Sequence, residues 1–320
     1  MPKQYVVGVD VGGQTTKIGV VDARGDVLFQ DVIRTDVYGE DSNAYITALA
    51  EAVKSCVTKA DATMDDIRGI GVGAPNGNYY TGEVAFAPNL AWAAKNSVPL
   101  ARSLSEKCGV PVSLTNDANA AAVGEMAYGA ARGMKHFIMI TLGTGVGSGI
   151  VVDGKVLYGH DGFAGELGHT CVVRNNGRIC GCGKTGCLEA YCSAIGVART
   201  AREWLESSDE PTVLRDLQDI TSKDIFDAAK QGDKFALRIF EYTGTLLGRS
   251  FADFVAFSAP EAIVLFGGLA RAKEFLYEPM KRAMEDNLLK IWKGKVGIVF
   301  SQLKESDAAI LGASALAWEL

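Results

Sequence analysis

The sequence has no apolar run approaching the ~18 residues that would mark a membrane-spanning helix, which argues against an integral helical membrane protein. It has no surplus of positive charge. Its 32 Lys and Arg stand against 38 Asp and Glu, a formal net charge of −6, so the bulk surface repels nucleic acid rather than attracting it. No stretch is rich enough in Pro, Gly or Ser to mark a linker, and low-complexity tracts are absent. The opening residues MPKQYVVGVDVGG enter a strand pattern without the layout of a signal peptide, so a cytoplasmic enzyme without a membrane partner is expected. Histidine is scarce, with 3 in 320 residues. Cysteine is not. Four of the 7 cysteines crowd into Ile179–Cys192, ICGCGKTGCLEAYC. In a reducing compartment such clusters point to metal or catalysis more than to disulfides.

The length suggests about two domains. Tyr5–Val11 is an apolar run ending in glycines and reads as a buried strand. Lys17–Asp22 follows as a second strand, and Ala23–Asp26 turns it into a third, Val27–Phe29. Ile46, Leu49, Val53, Cys56 and Val57 keep a helical period over Ala44–Val57. Ile67–Val72 and Val110–Leu114 read as further strands, and a helix starts near Asn116 and runs through Ala120–Met126. From His136 the plan returns: HFIMITLGTGVGSGIVVDGKVL matches YVVGVDVGGQTTKIGVVDARGDVL. Each is a strand, a glycine-rich loop, a second strand, a tight Asp/Gly turn and a third strand; Asp153-Gly154 is a strong hairpin signal. The plain alternative is that any two hairpins look alike. Glycines in both matching loops favour a duplicated two-domain architecture instead. Glu261–Gly268 and Val296–Leu303 are later strands, and Asp307–Trp318 is a final helix.

The loops between these strands carry the first chemistry. In Asp10-Val-Gly12-Gly13-Gln14-Thr15-Thr16-Lys17, glycines let backbone N–H groups turn toward an anion. A Lys neutralises phosphate charge, and an Asp at a strand end can hold Mg²⁺ through water. Leu142-Gly143-Thr144-Gly145-Val146-Gly147 offers a second such loop, and Gly267-Gly268 a third point of close approach. Each loop alone is equally well a tight turn without a ligand. Two tempting motifs fail. Gly183–Thr185 resembles the end of a P-loop, but Arg178 stands where that loop needs glycine. The Gly143 loop alternates its glycines in a way that does not fit the dinucleotide fingerprint.

Asn116-Asp117 follows the strand PVSLT. One reading is a helix N-cap; the other is a base that takes a proton from a substrate hydroxyl. Glu166 and His169 stand three apart, on one face if helical. His169, Cys180, Cys182 and Cys187 form H-x10-C-x-C-x4-C, and three thiolates with one imidazole match a structural zinc site. Redox use is disfavoured, since no C-x-x-C sits beside a thioredoxin-like pattern. An iron–sulfur cluster fits the composition but has no evident electron partner. Cys171 and Cys192 are expected to be spare thiols, buried as small apolar groups.

Taken together, Asp10–Lys17, Asn116–Asp117, Leu142–Gly147, Glu166–His169 and Cys180–Glu189 resemble the ROK-family sugar kinases, most closely the bacterial glucokinases among them. The most specific parts are GFAGELGH (Gly162–His169) and CGCGKTGCLE (Cys180–Glu189). The resemblance runs from Tyr5 to the final helix. It implies an α/β protein with the duplicated actin-like (hexokinase/ribonuclease H-like) ATPase fold, two domains with a cleft between them. Residues 1–115 plus 304–320 would form a small α/β domain, and residues 116–303 a large one with a zinc-binding loop. It implies Asp117 as general base, and a sugar site of Gly73, Asn89, Asn116, Asp117, Glu166, His169 and Glu189. Asp10, Gly12, Gly13, Gln14, Thr15 and Lys17 would face the phosphates and Mg²⁺, with Gly143, Thr144 and Gly145. Gly267 and Gly268 would lie near the adenosine of ATP, and His169, Cys180, Cys182 and Cys187 would hold structural Zn²⁺. Gln14 departs from the threonine usual after Asp-x-Gly-Gly, so Thr15 is expected to supply the hydroxyl. The implied reaction is phosphorylation of glucose at its 6-hydroxyl by a homodimer or dimer of dimers. The alternatives are a kinase for fructose, N-acetylglucosamine or N-acetylmannosamine, or a sugar-responsive regulator without turnover. The family's repressors carry an N-terminal DNA-binding segment, whereas here the first strand begins by Tyr5; with the acidic charge, that favours an enzyme without a nucleic-acid partner.

Overall fold

The computed structural model describes residues 3–320, apart from the side chains of 305 and 306. Its two large sheets have the same plan. The first runs, edge to edge, Val27–Arg34, Thr15–Asp22, Tyr5–Val11, Ile67–Gly73, Val112–Thr115. Tyr5–Val11 pairs antiparallel with Thr15–Asp22 and parallel with Ile67–Gly73, which is parallel to Val112–Thr115. The second runs Lys155–Val156, Val146–Val152, Phe137–Leu142, Ala262–Phe266, Gly297–Phe300, with Ala262–Phe266 parallel to both of its neighbours. The repeat read in the sequence is therefore a repeat of strand order. The third strands differ from their expected lengths. Val27–Arg34 continues well past Phe29 as an alternating edge strand, while Lys155–Val156 is only 2 residues long. Asp153 and Gly154 have φ of 52° and 73°, the left-handed pair that a tight hairpin turn of the primed type requires.

By their contacts, residues 1–134, 149–165 and 301–320 group as one unit, and residues 135–148 and 166–300 as another. In the first unit the helix Ser42–Lys59 buries Tyr45, Ile46, Leu49, Val53, Cys56 and Val57. They pack in the same core as Val7, Val9, Ile18 and Ile70 of the sheet. The helix Glu305–Ala317 lies very close to the central strands. A Cβ added at Gly8 would meet the Ile310 carbonyl oxygen at 2.1 Å, and one at Gly71 that of Ala313 at 1.8 Å. The helix Asp117–Tyr128 groups with this unit because Gly124 lies directly against Gly312, whereas the sequence division placed the boundary just before it.

In the second unit the helix Lys234–Ser258 packs along Lys273–Asn287, with Gly248 against the Met280 carbonyl and Gly244 against Pro279. Among the described residues no helix is long and apolar enough to cross a membrane.

Candidate active site

Parallel pairing brings the first unit's polar residues to one set of strand ends. Asp10 stands opposite Gly73, and Gly73 opposite Thr115. Asn116 and Asp117 follow immediately. Open parallel sheets place ligands at these carboxyl ends. Asn116 is the helix N-cap, its Oδ1 accepting the Ala118 N–H at 2.9 Å. That leaves Asp117 as the first helical residue, its Oδ1 also accepting from Ala118 N at 2.8 Å. Asp117 keeps solvent-accessible surface, yet the protein packed around it pushes its carboxyl above the usual range. Asp10 is pushed up to about 6, chiefly by burial and secondly by the Asp117 charge, with Lys17 opposing. Lys17 faces Asp10 directly across the hairpin.

The loop above Asp10 is closed by a Gly12 N–H to Thr15 carbonyl bond of 3.0 Å. Gly13 lies under the Asn89 backbone, where a Cβ would come 3.0 Å from its carbonyl oxygen. Glycine at that point thus lets the phosphate-type loop touch the segment carrying a predicted sugar ligand. Gln14 and Thr15 are exposed. The hydroxyl of Thr16, by contrast, is buried, 2.8 Å from both Thr35 Oγ1 and Tyr45 Oη, so it braces the hairpin and leaves Thr15 as the loop's accessible hydroxyl.

The second unit repeats the scheme. Phe266 pairs with Thr141, which sets Gly267 beside Leu142 at the head of the Gly143 loop. Gly267 has φ 104°, and a Cβ there would lie 2.5 Å from the Leu142 carbonyl oxygen. The Gly143 N–H bonds the Gly145 carbonyl at 3.0 Å, and the Gly143 carbonyl accepts from Ala194 N at 2.8 Å. Thr144 and Gly268 are exposed. Glu189, at the start of a short helix, reaches back to this loop: its Oε2 accepts the Val146 N–H at 3.0 Å. Its Oε1 accepts from the Cys180 thiol at 3.4 Å, so one carboxylate joins the glycine loop to the cysteine cluster.

That cluster is assembled as the spacing predicts. One donor atom from each of His169, Cys180, Cys182 and Cys187 lies within 4.8 Å of all the others. Cys182 Sγ and Cys187 Sγ are 3.7 Å apart, and Cys180 Sγ is 3.8 Å from His169 Nδ1. Zinc–sulfur bonds of about 2.3 Å in a tetrahedron put the sulfurs roughly 3.8 Å apart. The donor set therefore fits zinc in both chemistry and size. Burial pushes the Cys180 thiol up to about 12. Cys182 also feels burial, but the Lys184 N–H and bonds to the neighbouring thiols outweigh it and hold it below the usual thiol range. With Nδ1 turned to the cluster, His169 has Nε2 on its other side, 3.9 Å from Glu166 Oε2. Glu166 and His169 do meet, though through a 3-residue 3₁₀ turn, Leu167–His169, rather than an α-helix. The turn is held by the Leu167 N–H to Ser148 Oγ bond of 3.0 Å.

Two residues here escape the sequence reading. Cys192 is buried as expected, but Cys171 is exposed. It sits opposite Cys187 in an isolated antiparallel bridge, where the fold shows it to solvent instead of packing it. Arg178 is a buried cation whose guanidinium bonds the carbonyls of Ala190 and Gly196 and the Glu203 carboxylate and covers the Tyr191 ring. It anchors the cysteine loop to the two helices that follow. An arginine amid glycines and cysteines is the only sequence signal it left.

The sequence pattern of the ROK family matches residues 6–319. A glucokinase of Halalkalibacterium halodurans is 39% identical over 290 residues, 89% of this chain and 86% of that protein. A glucokinase of Thermotoga maritima is 37% identical over 321 residues, 99% of this chain and 98% of that protein. Among solved structures, a ROK family glucokinase from Streptomyces griseus in complex with glucose and AMPPNP superposes with a TM-score of 0.80 at 32% identity, covering 99% of this chain and 100% of that one.

Proposed function

This chain belongs to the ROK family, and from that premise we propose that it is an ATP-dependent glucokinase acting on the glucose 6-hydroxyl. The observation that carries the reading is the alignment of Asp10, Gly73 and Thr115 across parallel strands, with Asp117 two residues beyond Thr115. It puts two carboxylates of raised basicity close enough for one to feel the other's charge.

Asp117 takes the proton of the sugar hydroxyl as its oxygen attacks the γ-phosphorus. A carboxylate above the usual range is a stronger base for that step. Phosphoryl transfer leaves the protein mostly positioning and charge stabilisation. Asp10 and Lys17, with N–H groups of the Gly12-Gly13-Gln14-Thr15 loop and of Gly143, Thr144 and Gly145, hold the phosphates, and Gly267-Gly268 admit the adenosine. Mg²⁺ held near Asp10 would neutralise charge on the phosphate oxygens. Gly73, Asn89, Asn116, Glu166, His169 and Glu189 orient the sugar, because each ring hydroxyl withdrawn from water needs a partner. His169, Cys180, Cys182 and Cys187 would hold zinc, which would brace the loop that carries them. A homodimer is the assembly we propose. We place the enzyme in the cytoplasm.

A coupled ADP-release assay over glucose, mannose, fructose and the N-acetylated hexosamines tests the reading. Glucose should give the highest kcat/KM. Turnover confined to an N-acetylated sugar would move the assignment to a hexosamine kinase, and sugar binding without any ADP release would make the chain a sensor.

A further inference from the structure

The exposed thiol beside the zinc-type cluster has a partner. Cys171 and Cys187 stand directly opposite each other in an antiparallel bridge. The flanking bonds run from Val172 N to the Gly186 carbonyl and from Leu188 N to the Thr170 carbonyl. Cys171 and Cys187 are thus the non-hydrogen-bonded kind of pair. In such pairs the Cα atoms are about 4.5 Å apart and the side chains share a face, within the roughly 4.4–6.8 Å that a disulfide spans. Cys171 Sγ already lies against Gly186, where a Cβ would be only 3.1 Å from it. Its thiol donates a long bond of 3.6 Å to the Val173 carbonyl, which rotation about χ1 gives up at little cost. Of the five thiols between residues 171 and 187 and the adjoining helix, Cys192 is buried and Cys180, Cys182 and Cys187 belong to the four-donor cluster. Cys171 is the exposed one outside it.

We propose that Cys171 and Cys187 form a dithiol oxidation site through which a hydroperoxide disassembles the cysteine cluster; the effect on metal rests on the zinc reading above. The Cys171 thiolate attacks one peroxide oxygen. The O–O bond breaks, leaving a sulfenic acid on Cys171 and releasing hydroxide, which takes up the proton the thiol had shed and leaves as water. The Cys187 sulfur then attacks the Cys171 sulfur; an S–S bond forms, the S–O bond breaks and a second water leaves. The two thiols lose two electrons and the peroxide gains them. Cys187 in the disulfide no longer donates a thiolate, so His169, Cys180 and Cys182 are left as an incomplete ligand set. Glu189, two residues beyond Cys187 and bonded to Cys180, is released with it. Dithiothreitol reverses the step.

The test treats the purified protein and its Cys171→Ser and Cys171→Ala variants with graded hydrogen peroxide. Zinc release is followed with a chromogenic chelator, and disulfides are mapped by peptide mass spectrometry. The parent should become lighter by two hydrogens, yield a peptide joining Cys171 to Cys187, and lose its zinc. Both variants should need at least ~10-fold more peroxide for half release, since the accessible sulfur is gone. A parent disulfide joining Cys182 to Cys187 or Cys180 to Cys182, or equal zinc release from the variants, would overturn the proposal. If the protein is isolated without zinc, the zinc reading fails, while the mapped disulfide still decides the pairing.

Discussion

Asp117 and Asp10 share one neighbourhood, and the duties proposed for them are separable. Asp117→Asn preserves shape and the N–H contact of the first helical turn while removing the base. We expect kcat to fall by at least ~10²-fold with glucose affinity, measured calorimetrically, much less affected; near-normal turnover would end its role. Because burial raises the Asp117 carboxyl, its basic form is lost as pH falls through that raised value. The acid limb of kcat/KM should therefore lie above the pH of an ordinary carboxylate. Asp10 makes a statement about stability. Its folded value of about 6 exceeds the ordinary ~3.9 of an aspartate, so the folded state binds the proton more tightly than the unfolded one. Stability then rises as pH drops from about 6 toward 4, and the ionised carboxylate opposes folding at neutral pH. In ligand-free protein Asp10→Asn should melt higher than the parent at pH 7.5 and lose that advantage near pH 4.5. An advantage that is the same at both pH values would disprove the linkage. Nucleotide binding should weaken in the same variant.

At the level of elements, the cysteine loop ties together segments that carry predicted sugar contacts. Structural zinc contributes folding energy locally, and a ligating histidine has its ring orientation fixed by its neighbours. Cys182→Ser should remove about one zinc per chain, the complement of a four-ligand site, and abolish glucose binding before nucleotide binding. A zinc-free variant with normal glucose affinity would contradict that coupling. This loop was legible because its spacing encodes chemistry directly. The strands Tyr5–Val11 and Ile67–Gly73 were legible because burial on both faces leaves a nearly unbroken apolar run. The register that sets Asp10 beside Gly73 was not, since nothing local records a pairing between residues some sixty positions apart. The helix Lys234–Ser258 hides for a related reason. Gly244 and Gly248 weaken a helix in isolation, and only the Lys273–Asn287 backbone lying against them explains their presence. Cys171 misled because burial is the common fate of a free cysteine, and only the bridge to Cys187 shows why this one faces water.

For the whole molecule, the matching strand orders mean that two glycine loops arise from one repeated plan, each at the head of its own sheet. The first unit depends on a contact that sequence proximity does not supply: the last helix of the chain lies on strands formed from its first residues. Gly71→Ala would drive a Cβ to within 1.8 Å of the Ala313 carbonyl oxygen. Such overpacking costs about 1–3 kcal/mol or more. Gly143→Ala meets no atom within 4 Å and should change stability by less than about 0.5 kcal/mol. Urea denaturation of both variants checks the contrast, and equal midpoints would count against the close packing. The same contact governs biogenesis. While the chain leaves the ribosome, residues 135–148 and 166–300, the whole of the second unit, emerge before residues 301–320 arrive. Throughout that interval the Gly8 and Gly71 face has no cover, so a nascent chain stalled before Ser301 should be readily cut by protease in its first segment while the second resists.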